Sequence, residues 1–505
     1  MTVHHRIEAP KALRVHASDN VAVALADTPA GASIALGAET VSVRMPIPAG
    51  HKFALKNIGE DEQVVKYGSP IGLASASISV GEHVHSHNLR TALNDVETYP
   101  PFSALASDTQ QKLINDTFMG YRRADGRVGV RNEIWILPTV GCVANTAERI
   151  AREMNASAAS ENIDGVYAFL HPFGCSQLGD DLDGTRSILA ALSSHPNAAG
   201  VLILGLGCES NQLSRLLVSV PEKRRNRIRA FSSQEVEDEF EAGIEAVKEL
   251  NQCAAEDERE VCKISDLVIG VKCGGSDGFS GLTANPLVGR ITDRLTAAGG
   301  TSVMTEIPEL FGAERPLLQR CASEDVYDRF VTTVNDFKNY FIAHDQPIYE
   351  NPSPGNIKGG ITTLEEKSLG AAQKAGANSV VTDVLRYGEL VNQPGLSILE
   401  SPGNDAVSST ALTAAGATII LFTTGRGTPL GFPAPTIKIA SNTSLSERKP
   451  RWIDFDAGAV LEAESRETIE EALWRKVIAV ASGETTRNEE NNERSIAIWK
   501  RGVTL

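Results

Sequence analysis

The stretch "GVLILGLGC", Gly200 to Cys208, is an apolar run that ends in a glycine and a cysteine. Two earlier apolar runs end in the same way, "EIWILPTVGC" at Cys142 and "VYAFLHPFGC" at Cys175. Cys175 lies 33 residues after Cys142 and 33 residues before Cys208. A strand–helix–strand unit of a parallel sheet takes about 30 residues or more. The equal spacing therefore predicts that each cysteine follows the same end of a successive parallel strand.

Alternating strands and helices surround this stretch. We predict strands at residues 133–140, 165–173, 200–207 and 266–273, and helices at residues 145–156, 185–195, 212–220 and 235–252. In the last of these helices, apolar residues recur at spacings of four, four and three from Val236 to Val247, as on one helix face. Such alternation is typical of βαβ units. After a Pro/Gly-rich stretch at 346–363, strands are again predicted at 378–385, 418–425 and 435–441.

The N-terminal part has a different pattern. Short runs such as "VAVALA" and "SIAL" alternate with Asp, Pro and Gly turns, which predicts a small β-rich domain. Pro100 and Pro101 then interrupt any periodicity. We therefore expect an α/β chain with these segments: a flexible extension at 1–11, the β domain at 12–95, a linker at 96–118, a central α/β domain at 119–345 and a C-terminal α/β domain at 346–505.

The composition limits the class of protein. The chain has 505 residues, a net charge of −16 and 42% hydrophobic residues, which predicts globular domains. The acidic charge argues against nucleic acid and anionic membranes as partners. No apolar run approaches the roughly 18 residues of a membrane-spanning helix, and the N-terminus lacks the apolar core of a signal peptide. The seven cysteines then favour reduced thiols in the cytoplasm.

Cys273 extends the cysteine pattern, because it follows the apolar run "LVIGVK". The carboxyl ends of the strands form the binding crevice of an open parallel sheet, so we expect this thiol to converge there with Cys142, Cys175 and Cys208. Thiolates bind soft or borderline metals, including iron, which makes the four cysteines candidate metal ligands. The alternative is that each is a buried structural cysteine, which behaves as a small hydrophobe.

Polar residues follow three of these cysteines and are candidates for binding a polyhydroxylated substrate. They are Gln177, Asn211 and Ser276. The stretch "EIPELFG" also brings Glu306 and Glu309 near a strand end. Either carboxylate could act as an acid or a base, or could simply belong to the start of a helix.

A second group of candidate metal ligands lies in "GEHVHSHN", Gly81 to Asn88, where His83, His85 and His87 alternate. Alternate residues of an extended strand face the same way. Three imidazoles on one face suit a first-row metal ion or proton transfer. A histidine-rich strand that merely faces solvent is the alternative.

Two arginines are candidates for binding a carboxylate, since a guanidinium group binds carboxylates with two hydrogen bonds. Arg131 belongs to the basic stretch "RRADGRVGVRNE", and Arg426 lies between two glycines in "TTGRGTP". A solvated basic hairpin and a plain turn are the respective alternatives.

Several long motifs closely resemble the altronate/galactarate dehydratase family. They include "GHKFAL", "KYGSPIG", "GEHVHSHN", "GVRNEIWILPTVGC", "GLGCESNQ", "CGGSDGFSGLTANP", "SPGNDAV" and "TGRGTP". The resemblance covers nearly the whole chain. It implies an N-terminal SAF-type β-clip domain, and a metal-dependent hydro-lyase that removes water from a sugar acid. For altronate, the product would be 2-dehydro-3-deoxygluconate, in galacturonate breakdown.

The resemblance also implies a divalent metal, usually ferrous iron, with manganese as a substitute; an iron–sulfur cluster is the alternative. A proton must leave the carbon next to the carboxylate and a hydroxyl must leave the next carbon, so an acid and a base are needed. The candidates are His171, Lys272 and Asp277, together with the three histidines. A homo-oligomer is expected. Galactarate dehydratase, a sulfolactate-cleaving lyase and a non-catalytic sugar-acid binder stay open as alternatives.

Overall fold

The computed structural model describes residues 11–94, 96–103, 116–157, 162–462 and 465–505. Residues 1–10 of the expected extension and 104–115 of the expected linker lie outside the described residues. The described strands are β1 (Ala12–Leu13), β2 (Val21–Ala24), β3 (Ser33–Leu36), β4 (Glu39–Ser42), β5 (Lys52–Ala54), β6 (Gln63–Lys66), β7 (Ser69–Ala74), β8 (His83–Val84), β9 (Leu89–Arg90), β10 (Thr117–Arg122), β11 (Val128–Gly129), β12 (Glu133–Pro138), β13 (Val166–Ala168), β14 (Ala198–Gly205), β15 (Ile228–Ser232), β16 (Glu260–Lys263), β17 (Val268–Cys273), β18 (Thr301–Met304), β19 (Val381–Leu385), β20 (Gly395–Leu399), β21 (Ile419–Thr424), β22 (Thr436–Ala440) and β23 (Phe455–Asp456).

The described α-helices are α1 (Ala144–Ala156), α2 (Gly179–Ser193), α3 (Leu213–Val218), α4 (Glu239–Ala254), α5 (Ala284–Ala297), α6 (Arg315–Leu318), α7 (Glu324–Ala343), α8 (Pro354–Lys358), α9 (Leu364–Ala372), α10 (Asp405–Ala414), α11 (Thr443–Arg448), α12 (Arg466–Ala481) and α13 (Arg487–Glu490). Short 3-10 helices lie at Gly141–Val143, Glu222–Arg227, Ser233–Glu235, Ile264–Asp266, Ile307–Leu310, Gln373–Ala375 and Gly458–Leu461. Among the described helices, none combines the length and the apolar composition needed to cross a bilayer.

The N-terminal unit consists of nine short strands, β1 to β9, in the described residues. They form three small sheets, with the orders β1-β2-β5-β8, β3-β4 and β6-β7-β9, and all the pairs are antiparallel. Turns at Gly and Asp residues keep each strand short. Buried Val, Ile and Ala side chains fill two small cores between the sheets. The predicted β-rich N-terminal part of the α/β chain is confirmed.

A four-stranded parallel sheet follows, in the order β13-β12-β14-β15. Its central strands are buried along their whole length, because helices cover both faces, as is usual for parallel sheets. Helices α1 and α4 pack on one face around Ile134 and Leu202. The other face, with Trp135 and Ile203, packs into the main core of the protein.

Strands β10, β11 and β16 form a separate antiparallel sheet in the order β11-β10-β16. A seven-stranded parallel sheet follows, in the order β19-β20-β18-β17-β21-β22-β23. The domain boundary expected at 345/346 falls inside this sheet. Strand β18 pairs with β20 in the register Thr301↔Gly395, so the chain after the Pro/Gly-rich stretch completes the sheet that β17 and β18 begin. The topology divides the α/β part before β17 instead.

The two parallel sheets and the N-terminal unit are linked by buried polar contacts. His195, just after α2, donates from Nε2 to the Ala417 carbonyl oxygen at 3.2 Å, immediately before β21. In the N-terminal unit, the Nζ atoms of Lys52 and Lys66 each lie 2.8 Å from a carboxylate oxygen of Glu366 on α9. All three charged groups are buried. The N-terminal unit therefore docks on the seven-stranded part through a buried triad of two lysines that share one glutamate.

Candidate active site

Four imidazoles cluster where the N-terminal unit meets the seven-stranded part. The ring centroids of His51, His83 and His85 are 5.1–5.2 Å apart, and the His87 ring lies 5.6 Å from that of His83. Strand β8 contains only His83 and Val84, so the histidines do not share one strand as we expected; a turn at residues 85–88 brings the later rings back. His51 lies 32 residues before His83 and is not part of the predicted histidine motif. The pairing of β5 with β8, Phe53↔His83, brings it into the cluster.

Three histidines of the cluster, His51, His83 and His85, are held in the neutral form. Burial lowers the pKa values of His51, His83 and His85, and that of His83 falls to about 3 because its imidazole neighbours, His85 first, add repulsion. His51 donates from Nε2 to the carbonyl oxygen of Lys358 at 3.3 Å, and His85 from Nε2 to that of Ile357 at 3.0 Å. The end of α8 therefore forms one wall of the cluster.

Asp277 lies on the loop that follows β17, and it is buried. Its Oδ1 atom accepts hydrogen bonds from the hydroxyls of Ser280, at 2.9 Å, and Ser441, at 2.8 Å, and its Oδ2 atom accepts one from Asn442 Nδ2 at 3.0 Å. Burial raises the pKa of Asp277 even though these hydrogen bonds favour the carboxylate. The result is a carboxyl group that is fixed in position and is more basic than an exposed aspartate.

A cavity of about 630 Å³ opens beside Asp277, between the N-terminal unit and the seven-stranded part. Arg426 and Asn442 line it, together with Lys358 and Gly359. The Gly278 N–H donates to the Gly359 carbonyl oxygen at 2.7 Å. The segment that carries the hydrogen-bonding partners of His51 and His85 is therefore also a wall of this cavity. Ser276, which is buried, is fixed by a hydrogen bond from Asn356 to its carbonyl oxygen.

Lys272, at the end of β17, belongs to a buried charged cluster. Its Nζ atom lies 2.6 Å from Asp405 Oδ1 and 3.0 Å from Glu306 Oε1. Burial alone would lower the pKa of this lysine, but the two carboxylates outweigh burial and raise it. Lys272 is therefore held protonated, which suits electrostatic stabilisation and does not suit the role of a general base.

Glu306 has a strained backbone for a residue with a side chain, at φ 73°. It lies two residues after the end of β18 at Met304, and burial raises its pKa to about 7. Neighbouring Glu309 accepts a hydrogen bond from Lys367 Nζ at 2.8 Å, and the Cys273 thiol donates to it at 3.4 Å. Strain of this kind is characteristic of functional sites.

Cys273, Glu306 and Glu309 are the one group of three potential metal ligands found close together in the described residues, within 4.8 Å of one another. This donor set does not fit a metal ion well. Burial raises the pKa of Cys273 to about 11, and the ammonium group of Lys374 lies 3.1 Å from its sulfur. Lysines already neutralise the carboxylates. The neutral imidazoles of His51, His83 and His85 fit a divalent first-row ion better.

The expectation that four cysteines converge is corrected by the sheet topology. Cys142, Cys175 and Cys208 follow the adjacent strands β12, β13 and β14, and all three are exposed free thiols. Cys273 ends a strand of the other sheet and is buried. Cys273 differs because its sheet edge is covered, whereas the edge at the other three cysteines is open.

Two other predicted residues have contacts that belong to the scaffold, which corrects the roles expected for them. Arg131 is buried, and it donates to Glu489 and to the carbonyl oxygens of Val130, Val480 and Glu484, so its guanidinium group is committed. His171 donates from Nε2 to the Pro138 carbonyl oxygen at 2.8 Å, and its Nδ1 atom accepts from a main-chain N–H. Both nitrogens of His171 therefore hold the loop before Cys175.

Gln177 and Asn211 lie with the three exposed cysteines and not with Asp277. Gln177 Oε1 accepts from the Gly174 N–H at 3.0 Å, and Asn211 Nδ2 donates to the Thr139 carbonyl oxygen at 3.2 Å. The predicted site residues thus fall into two places. Asp277 and Arg426 line the cavity, and the Lys358 carbonyl oxygen links its wall to His51 of the histidine cluster. The three exposed thiols and these amides lie at the edge of the four-stranded sheet.

The protein has a β-stranded unit docked on parallel α/β sheets. A buried carboxylate, neutral imidazoles and an arginine lie at the junction. These features define a multidomain α/β enzyme equipped for proton transfer. Three family models match it in succession: the altronate/galactarate dehydratase SAF domain at residues 10–92, the D-galactarate dehydratase/altronate hydrolase second domain at 120–255, and the D-galactarate/altronate dehydratase C-terminal model at 264–504. The chain belongs to the altronate/galactarate dehydratase family.

Relatives in this family match over nearly their full length. The altronate dehydratase of Escherichia coli (strain K12) is 50% identical over 497 residues, which are 98% of this chain and 99% of that protein. The altronate dehydratase of Bacillus subtilis (strain 168) is 50% identical over 495 residues, with the same coverage. The galactarate dehydratase (L-threo-forming) of Escherichia coli is 34% identical over 510 residues, covering 95% of this chain and 94% of that protein.

Proposed function

We propose that this enzyme is a hydro-lyase that removes water from D-altronate to give 2-dehydro-3-deoxy-D-gluconate. The observation that carries the proposal is the cavity at the domain junction, where Asp277 and Arg426 share a wall with the partners of the histidine cluster. The two relatives at 50% identity are altronate dehydratases, whereas the galactarate dehydratase is 34% identical. This difference supports altronate over galactarate as the substrate.

Arg426 binds the substrate carboxylate in this scheme, because its guanidinium group lines the cavity and can donate two parallel hydrogen bonds. Asp277 then takes the proton from the neighbouring carbon. Its raised pKa favours proton abstraction, and Ser280, Ser441 and Asn442 keep the carboxylate aligned. Of the three residues predicted to be catalytic, Asp277 alone lines this cavity. Lys272 is paired with Glu306 and Asp405, and His171 holds the loop before Cys175.

The histidine cluster would hold the divalent metal, ferrous iron or manganese, through neutral imidazole nitrogens. A metal ion there would supply a Lewis acid for the enediolate charge and for the leaving hydroxyl. The residues themselves are preorganised for this, because burial keeps His51, His83 and His85 unprotonated. Competition with protons is therefore weak at neutral pH.

An anaerobic assay with D-altronate, with and without added ferrous or manganous ion, tests the proposal by following the 2-keto acid product. We expect metal-dependent turnover, and Asp277→Asn should lower kcat by about a hundredfold or more, as for loss of a general base. Asp183→Asn is the matched control, since Asp183 is an exposed carboxylate in an i,i+3 ion pair. Full activity of Asp277→Asn would remove this residue from the scheme.

Other substrates separate the remaining alternatives. Turnover of galactarate but not altronate would keep the chemistry and change the substrate. Binding of sugar acids without any turnover would indicate a non-catalytic binder. A cytoplasmic location is also proposed, because three exposed free thiols suit a reducing compartment. The expected homo-oligomer is tested by light scattering of the purified protein.

A further inference from the structure

The edge of the four-stranded sheet carries three exposed cysteines that the dehydratase scheme does not use. They lie outside the junction cavity and away from the histidine cluster. We infer that Cys142, Cys175 and Cys208 are the three thiolate ligands of an iron–sulfur cluster, with one iron left without a protein ligand. This site is independent of the proposed substrate cavity and goes beyond the proposed function.

The sheet order places the three cysteines after the same ends of three neighbouring parallel strands. Strand β12 pairs with β14 in the register Pro138↔Leu204, and Cys142 and Cys208 each lie four residues beyond these partners. On the other side, β12 pairs with β13 in the register Ile136↔Ala168. Neighbouring strands are about 4.8 Å apart, so the outer two strands are separated by roughly twice that. Three thiols spread over this width suit a cluster with several metal atoms better than a single ion.

The loops that carry the cysteines are fixed against one another. The Gly141 N–H donates to the Phe173 carbonyl oxygen at 2.9 Å, which joins the Cys142 and Cys175 loops. The Asn211 N–H donates to the Gly174 carbonyl oxygen at 2.8 Å, which joins the Cys175 and Cys208 loops. A side chain on Gly174 would meet the Thr139 carbonyl oxygen at 2.1 Å. The glycine is therefore required for this close packing, and the thiols are presented by a preorganised frame.

Two buried amides on these loops have unused polar atoms. Gln177 is 5% exposed and Asn211 is 0% exposed. Gln177 Nε2 and Asn211 Oδ1 have no hydrogen-bond partner among the described residues. An unpaired buried amide is costly, and such a group in a native structure calls for an explanation. Gln177 Nε2 is a donor two residues from Cys175, and cluster sulfur atoms accept hydrogen bonds of this kind.

A third amide already contacts one of the thiols. Gln234 Nε2 donates to Cys208 Sγ at 3.6 Å. Cysteine thiolates are the standard ligands of iron–sulfur clusters, and hydrogen bonds to sulfur tune their potential. The remaining four cysteines cannot complete the set from this edge. Cys262, Cys273 and Cys321 are buried, and Cys253 lies near the end of α4. One iron of the cluster would consequently stay open to water or to an oxygen ligand.

Reconstitution of the full-length protein with equal amounts of ferrous and ferric iron, together with sulfide, under anaerobic conditions tests the inference. After desalting, we expect roughly four iron and four acid-labile sulfide per chain, as in a [4Fe–4S] cluster. We also expect broad visible absorption and an electron paramagnetic resonance signal after reduction. Cys142→Ser, Cys175→Ser and Cys208→Ser should each lose most of the sulfide, while their thermal unfolding stays near that of the unchanged protein.

Cys253→Ser is the matched control, because it removes a thiol from the same part of the fold without touching the three loops; it should retain iron and sulfide. His83→Ala should also retain the sulfide, which separates this site from the metal of the proposed dehydratase. Iron bound without sulfide, or sulfide retained in all three serine variants, would overturn the inference. Loss of the cluster in Cys253→Ser alone would overturn it as well. None of these readouts depends on turnover of altronate.

Discussion

The two parallel sheets carry different chemistry at the same edge. Beyond the strands of the four-stranded sheet lie exposed thiols, including Cys142 and Cys208. At the corresponding edge of the seven-stranded sheet lie buried charges, including Lys272 and Glu306. The carboxyl ends of the strands form the binding edge in both sheets. The strand ends therefore predict where functional side chains lie, but they do not predict whether those side chains are thiols or charged groups.

The difference comes from what covers each edge. The N-terminal unit packs over the seven-stranded part through the Lys52 and Lys66 ion pairs with Glu366. Polar groups under this cover have to neutralise one another, since an unpaired buried charge is very costly. Lys272 pairs with Glu306 and Asp405 for this reason. The thiol edge is exposed, so its side chains stay available for a ligand.

We expect the largest loss of stability when a buried ion pair at the covered edge of the seven-stranded sheet is removed. Lys272→Met leaves Glu306 without its ammonium partner in a buried site, and we expect a loss of about 3–5 kcal/mol in the free energy of unfolding, as when one partner of a buried ion pair is removed. Activity should fall as well, because Asp405 and Glu306 lose their alignment. Chemical denaturation followed by circular dichroism measures the stability.

Lys248→Met is the control for this variant, because Lys248 forms an exposed i,i+3 pair with Glu245 on α4. Exposed pairs contribute about 0–1 kcal/mol, so the control should hardly change stability. If both variants had equal and small effects, the view that the covered edge is held by charge pairing would be contradicted.

The sequence predicts much of the fold because its main signals are local. The equal spacing of Cys142, Cys175 and Cys208 depends on one repeating unit, and the three strands are indeed neighbours in the sheet. The pairing of β18 with β20 joins residues about a hundred positions apart across a Pro/Gly-rich stretch. No local pattern carries that information, so the boundary expected at 345/346 falls inside a single sheet.

The candidate site is less predictable for the same reason. The histidine motif is visible in the sequence, but His51 joins it only through the pairing of β5 with β8. Arg131 has the residue type that binds carboxylates, yet its partner is Glu489, more than 350 residues later. Residue type and strand position indicate candidates, and long-range packing decides whether a charged side chain faces a cavity or another side chain.

The contact between the two sheets should make stability depend on pH. Burial, aided by Arg127, lowers the pKa of His195 to about 3, so this histidine is neutral in the folded protein. The unfolded chain takes up a proton as the pH falls below about 6.5. His195 should therefore cost stability at about 1.4 kcal/mol per pH unit below that value, down to its folded pKa.

His195→Gln tests this contribution, because glutamine does not titrate and can still donate to the Ala417 carbonyl oxygen. Denaturation between pH 7 and pH 5 should show a shallower loss of stability for the variant than for the unchanged protein. His16→Gln is the control, since His16 is exposed. Parallel pH profiles for His195→Gln and the unchanged protein would contradict the role given to this histidine.

We expect the smallest change in the free energy of unfolding for a variant at the exposed edge of the four-stranded sheet. Cys142 is exposed, so Cys142→Ser should change the free energy of unfolding by no more than about 0.5 kcal/mol. Cys262 is fully buried in the main core, although its sulfur accepts a hydrogen bond from Arg122 at 3.7 Å. Cys262→Ser replaces this packed sulfur with a smaller and more polar hydroxyl group, and should cost about 1–3 kcal/mol. Thermal unfolding of the metal-free variants measures both. A thiol whose loss leaves the fold intact contributes little to stability and stays available as a ligand at the sheet edge. A large loss of stability in metal-free Cys142→Ser would instead show that this thiol supports the fold. It would contradict the difference between the exposed thiol edge and the buried charged edge.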